Sequence, residues 1–177
     1  MFEGRQRLQA RARRFLSRFG RGPTAFMRVA YQVPRQVVLV TASHAGERAL
    51  WPVDWHMPVG FEPPRYALAF GRDAHGTKLL LRAGCFVVNT IPAELEPIIL
   101  EAGRRSGHDG DKLDALGLST SPALFVEAPC LVAAIGRLEC TVEDAREWGD
   151  RVLVVGRVQH AEEAPRDTAT LHHEWRR

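Results

Sequence analysis

Cysteine is scarce in this chain: Cys85, Cys130 and Cys140 are the only three in 177 residues, and none is spaced as a pair of metal ligands would be. An odd, scattered set excludes a disulfide framework and points to a reduced, intracellular setting without a metal site. Long apolar runs are missing as well. No stretch reaches the length of a membrane span, and the N-terminus lacks the continuous hydrophobic core of a secretory signal. The expectation is a soluble, cytoplasmic protein. There is no internal repeat and no low-complexity tract. Acidic residues are nearly absent from the start, where Glu3 stands alone against Arg5, Arg7, Arg11, Arg13, Arg14, Arg18 and Arg21.

What the chain does hold is a core. At 45% hydrophobic content over 177 residues, a single sizeable domain is expected. The formal charge of +3 conceals the basic arm, and the remainder carries a slight acidic excess, so its surface is no obvious binder of polyanions. Within the arm, Leu8, Ala12, Phe15, Leu16 and Phe19 recur at helical spacing, and Gly20, Gly22 and Pro23 end the pattern. Such a helix can meet an anionic surface or act as an organelle-targeting peptide. The preferred reading is plainer: it packs its apolar stripe on its own or a partner subunit. The layout expected is an arm over 1–22, a domain over 23–162 and a charged tail over 163–177.

Beyond the arm the chain reads as short strands with helical inserts. Val37–Thr41, Tyr66–Phe70, Cys85–Thr90, Leu131–Val142 and Arg151–Val158 are strand-like, the first followed by a His-Ala-Gly-Glu turn. Thr77–Arg82 suits a short helix, and Pro92–Arg105 a helix beginning on a proline. Glu147–Asp150 suits a hairpin or short crossover. The run PVDWHMPVGFEPP, Pro52 to Pro64, reads as an aromatic, proline-braced connection between strands. A mainly β barrel or sandwich with helical inserts fits better than regular βαβ winding.

Seven segments in order, PRQVVLVTA, PVDW and HMPVGFEPP, FGRDAHGTKLL, GCFVVNTIP, SGHDGDKLDALGL, APCLVAAIGRLECTV and GDRVLVVGRV, carry a resemblance from about Pro34 to about Ala161. The chain resembles the flavin reductase-like family of FMN-binding split β-barrels, flavoredoxin-like proteins among them. The resemblance implies a homodimeric Greek-key barrel holding FMN, with FAD a possible substitute, near the subunit interface. It implies hydride transfer from NADH or NADPH to the flavin, which then serves a partner oxygenase or another electron acceptor. The reactive chemistry belongs to the cofactor, so no catalytic acid–base dyad or nucleophile is expected of the chain.

Residue by residue, the resemblance implies that Pro52, Val53, Asp54 and Trp55 line the isoalloxazine, with Asp54 where relatives carry a small residue or serine. Arg48, Ala49 and Leu50 stand where asparagine or threonine is frequent. Arg72, His75 and Gly76 match the phosphate-binding loop, with Gly76 where threonine is customary. Losing a hydroxyl that bonds a phosphate costs roughly 1–3 kcal/mol, which cations or a helix N-terminus can offset. An ionised Asp54 beside the ring would oppose the charge of reduced flavin by about 4 kcal/mol at ~4 Å and an effective dielectric of ~20. It can instead pair with Arg48 or His56.

His56 and Arg151 are the candidates for the nicotinamide site, Arg151 following Gly149-Asp150 where relatives often have histidine. Each has a structural alternative. His56 between aromatic and apolar neighbours suits a packed, hydrogen-bonded histidine. Trp51 and Trp55 can stack on the ring or bury themselves in a dimer interface. Asn89 suits the closing of its strand through backbone bonds, with a flavin contact as the second reading. Asp111 and Lys112 read as a helix cap or surface pair, with a contact near the active-site mouth as the alternative. The absent donor groups leave a second class open, a non-catalytic dimer that binds flavin or another small ligand. A role in nucleic-acid or membrane binding rests on the arm alone.

Overall fold

The computed structural model describes residues 25–30, 35–107, 110–163 and 172–173. The expected arginine-rich helix lies outside them. Two compact units separate, and the smaller holds helix α1 (Ala25–Ala30) and strand β1 (Arg35–Gln36) paired with β11 (His172–His173). The larger spans residues 37–171.

That larger unit is a seven-stranded antiparallel sheet in the order β3-β2-β6-β9-β10-β5-β4, coiled into a split barrel. Its strands are β2 (Val38–His44), β3 (Glu47–Val53), β4 (His56–Phe61), β5 (Pro64–Gly71), β6 (Cys85–Thr90), β9 (Gly136–Trp148) and β10 (Arg151–Glu163). The β-branched runs read from the sequence form the sheet's centre. β6 spans the predicted Cys85–Thr90, with five of its six residues buried. Successive side chains of β2 point to opposite faces. Val38, Val40 and Ala42 enter a core with Leu68, Phe70, Phe86, Val152 and Val154. Leu39, with Leu50 of β3, enters a second core with Ile99, Ala102 and Leu113. Those partners come from α3 (Glu96–Arg104) and α4 (Lys112–Ala115).

Helix α2 (His75–Ala83) contributes Leu79 and Leu80, both fully buried, to the first core. It ends at Gly84, whose φ of 68° is one a side chain would resist and whose N–H bonds Leu80 O. The expected helix over Pro92–Arg105 divides into a 3₁₀ turn, Ala93–Leu95, and α3. The strand expected over Leu131–Val142 is also divided: β8 (Pro129–Leu131) pairs with β7 (Thr120–Pro122), and β9 begins only at Gly136.

The largest departure concerns Pro52–Pro64. It is not a loop but the end of β3, a two-residue link Asp54-Trp55, the strand β4, and a turn into β5. Prolines normally argue against a strand, but β4 lies at the sheet's edge and pairs only with β5, so Pro58 need not donate on its outer side. The register slips between Pro58 and Gly60, which relieves the constraint further. Among the described residues, no helix is long and apolar enough to cross a membrane.

Candidate functional site

β3 is the other edge of the sheet, so one row of its backbone N–H and C=O groups has no neighbouring strand. A cavity of about 310 Å³ opens along it. β3 supplies Arg48 and Trp51 to the walls, the start of α2 supplies His75 and Gly76, and the segment from α3 to α4 supplies Arg105 and Lys112.

The fit around Gly76 is tight. A Cβ added there would lie 2.8 Å from Cε3 of Trp51, so the indole rests directly on the glycine backbone. Phe70 meets the indole edge-on, its centroid 5.4 Å away. The indole N–H is buried without an acceptor. An orphaned donor in a cavity wall normally signals a group still to be supplied. His75 is fixed by Glu47, Nε2 to Oε1 at 2.6 Å.

Ala74, at the N-cap of α2, offers no side-chain cap, which leaves the first turn open to an anion. The hydroxyl of this loop belongs to Thr77, one residue beyond the position expected for it. Thr77 is buried and donates to Gly71 O at 2.8 Å.

On the opposite wall, Arg48 donates from Nε to Asp111 Oδ2 at 2.6 Å and from Nη2 to Asp114 Oδ1 at 2.8 Å. The Asp114 bond contributes most to raising the guanidinium pKa above its ordinary value; loss of solvent opposes it and Asp111 adds to it. Asp111 also caps α4 by accepting from Leu113 N at 2.8 Å, as the sequence suggested. Lys112 donates from Nζ to Ala102 O, joining α4 to α3. Among the described residues Arg48 pairs with these two acids, and Asp54 is not one of its partners.

A second cluster gathers at the link between β3 and β4. The Arg151 guanidinium lies 4.9 Å from the Trp55 ring centroid, a cation–π contact. His56 Nδ1 is 2.6 Å from Tyr66 Oη, the packed and hydrogen-bonded alternative for this histidine. Burial, with a smaller contribution from Cys140, pushes the Tyr66 phenol up to about 12. In a neutral imidazole, a phenol donating to Nδ1 leaves the ring proton on Nε2.

A raised phenol pKa fixes a sign. The unfolded tyrosine ionises near 10, so the contribution of Tyr66 to stability is complete below pH ~10 and is lost as pH rises towards ~12. Urea midpoints should fall across that window in the wild type and fall less in Tyr66→Phe. Equal slopes would show that this phenol is not held neutral.

Of the ten candidate residues, His75 and Gly76 line the cavity. Pro52 and Val53 belong to β3, and Val53 is buried in the first core, so its side chain cannot face a ligand there. Arg72 is engaged with the β9–β10 turn, bonding Asp150 O through its backbone N–H and Gly149 O through Nη1, each at 3.0 Å. Asn89 corrects the flavin-contact reading: it is fully buried, donating to Leu39 O and Thr41 Oγ1 and accepting from Leu131 N. Arg105 was not among the residues the sequence pointed to; Lys112 was expected near the active-site mouth only as the alternative to a cap or surface pair, and Arg48 only as standing where asparagine or threonine is frequent, and both line the cavity. Arg48 and Leu50, two apart on a strand, were the available signal. Cys85, Cys130 and Cys140 are buried and free, and burial raises all three thiols, Cys140 to about 12.

The chain matches the family described as "Flavin reductase like domain" over residues 30–177. It is 28% identical over 125 residues to an uncharacterized protein of Pyrococcus abyssi, covering 71% of this chain and 72% of that one. It is 26% identical over 121 residues to HsaB of Rhodococcus jostii, the reductase subunit of a flavin-dependent monooxygenase, covering 63% of this chain and 59% of HsaB. Among solved structures it is similar to the NADH:FAD oxidoreductase SgcE6 of Streptomyces globisporus, with a TM-score of 0.76 and 22% identity over 84% of this chain and 86% of that one. That last likeness shows the shared fold.

Proposed function

The chain belongs to the flavin reductase-like family, and from that premise we propose that it binds a flavin, FMN first, along the open edge of β3 and acts as an NAD(P)H-dependent oxidoreductase. The observation that carries the reading is the cavity itself. It joins an uncapped helix start, an orphaned indole donor and cationic side chains at one unpaired strand edge. These features suit a flat polar ring with a phosphate at one end. When bound, the flavin supplies the hydride-accepting and electron-donating chemistry.

The chain's own residues bind and orient. The edge of β3 offers backbone groups to the ring's heteroatoms, and Trp51, held by Phe70 and Gly76, sets the wall against which a ring lies. The start of α2 and the cations of the cavity receive the phosphate. Asp54, Trp55, His56 and Arg151 flank the nicotinamide approach, where Arg151 over Trp55 offers a guanidinium for a cofactor phosphate. A second copy of the chain closes the site in a homodimer. An oxygenase or another electron acceptor in the cytoplasm would be the partner served by the flavin-loaded protein.

The test is the visible spectrum of the protein purified without added flavin, followed by titration with FMN and FAD and by NADH and NADPH oxidation assays. Binding and oxidation together are expected. A colourless protein that ignores both flavins would overturn the reading. Binding without oxidation of either nicotinamide would favour the non-catalytic binder.

A further inference from the structure

The cavity walls carry three basic side chains, Arg48, Arg105 and Lys112, and one carboxylate, Asp73. Their positions in the fold differ. Arg105, just past the end of α3, is paired with Glu101 of that helix at 3.1 Å. Lys112 has its ammonium on the Ala102 carbonyl at 2.9 Å. Arg48 alone of the three projects from β3, the strand that forms the cavity's edge, and its partners Asp111 and Asp114 come from the far side, at α4.

Its guanidinium is also incompletely used. Nε and Nη2 serve the two aspartates, and among the described residues Nη1 makes no hydrogen bond. A guanidinium has five N–H donors in a fixed planar fork, a shape suited to bidentate contact with a phosphate. The two carboxylates are unequal competitors for it. Asp111 is tied to Leu113 N as a helix cap, whereas the side chain of Asp114 is 76% exposed and can move to water at little cost.

We propose that Arg48 is the residue by which this site selects a phosphorylated flavin over the unphosphorylated one, and that Asp114 competes with the phosphate for it. The inference rests on the flavin-binding reading above and names a determinant within that site. Arg48 would meet the phosphate through Nη1 and whatever Nη2 gives up as Asp114 yields, while Asp111 keeps the guanidinium oriented. The competition gives two substitutions opposite signs, which a loss of structure cannot do.

The experiment is a fluorescence-quenching titration of the full chain with FMN and, separately, with riboflavin, which lacks the phosphate. Arg48→Gln should weaken FMN binding roughly 10- to 100-fold and leave riboflavin within about threefold. Arg48→Lys should fall between wild type and Arg48→Gln. Asp114→Asn should tighten FMN by up to about fivefold without changing riboflavin. Thermal melting of each variant identifies any that fail to fold, and the Asp114→Asn arm stands even if Arg48→Gln is lost.

Equal loss of FMN and riboflavin in Arg48→Gln, or unchanged FMN binding in Asp114→Asn, would overturn the proposal. So would an effect confined to NADPH relative to NADH, which would move the phosphate from flavin to nicotinamide. A wild type that binds neither flavin would instead remove the functional reading itself, so the two failures are distinguishable.

Discussion

Replacing Asn89 by aspartate is expected to destabilise the fold by about 3–5 kcal/mol, which for a chain of this size lowers the melting temperature by on the order of 10 °C. The amide occupies the junction of β2, β6 and β8. Its Nδ2 donates to Leu39 O and to Thr41 Oγ1, both at 3.1 Å, and its Oδ1 accepts from Leu131 N at 2.9 Å. Aspartate has the same shape but no N–H. It would set a carboxylate oxygen against two acceptors and bury a charge among apolar neighbours. Asn89→Ala should cost nearly as much, because the Leu131 N–H and the Leu39 carbonyl lose their side-chain partner.

Urea unfolding measures the loss, and flavin titration of the folded variant decides its meaning. A large loss of stability with FMN affinity retained is expected. A variant as stable as wild type that no longer binds FMN would restore Asn89 to the cofactor site. The distinction matters because Leu131 starts the route from β8 into β9, and this amide fixes that strand exchange beneath the second core.

How much of this was legible in the sequence depended on whether the signal was local. CFVVNT is β-branched, apolar and bounded by a glycine and a proline, and its strand was read to the residue. Arg151–Val158 announced β10, and only its continuation over Gln159–Glu163 was missed, where polar residues follow the exposed end of a long hairpin. β3 and β4 were hidden for a physical reason. Glu47–Val53 mixes a charged start with a tryptophan and a proline, and His56–Phe61 carries both Pro58 and Gly60. Both are edge strands, where half the hydrogen-bonding demand on the backbone disappears and proline is tolerated, so composition misleads there.

The cavity was less legible still. Arg48, Gly76 and Lys112 come from segments far apart in the chain, and only the pairing of β2 with β3 and the packing of α2 and α4 bring them together. The resemblance treats position 76 as a hydroxyl lost, and the local packing reads differently. The buried hydroxyl stands at Thr77, and position 76 is instead the floor beneath Trp51.

It follows that supplying the customary threonine should harm the protein. Gly76→Thr places a Cβ 2.8 Å from Cε3 and 3.0 Å from Cζ3 of Trp51, distances at which the indole must move. Phe70 stands 5.4 Å away and Trp51 packs against the first core, which leaves the ring little room to yield there. Trp51 also lines the cavity, where a displaced ring finds space. Overpacking of this kind costs roughly 1–3 kcal/mol of stability. The displaced indole would also take space where the flavin is proposed to lie, weakening FMN by more than about tenfold.

A compensating change separates this steric account from the loss of an anion-binding backbone. Trp51→Leu alone should be mildly destabilising, and the double variant Trp51→Leu with Gly76→Thr should be more stable than Gly76→Thr alone, a coupling of opposite sign to simple additivity. Denaturant midpoints and FMN titrations on all four proteins complete the cycle. Additive losses, or a Gly76→Thr protein that binds FMN as tightly as wild type, would mean that the glycine serves the phosphate through its backbone and that the indole merely happens to rest there.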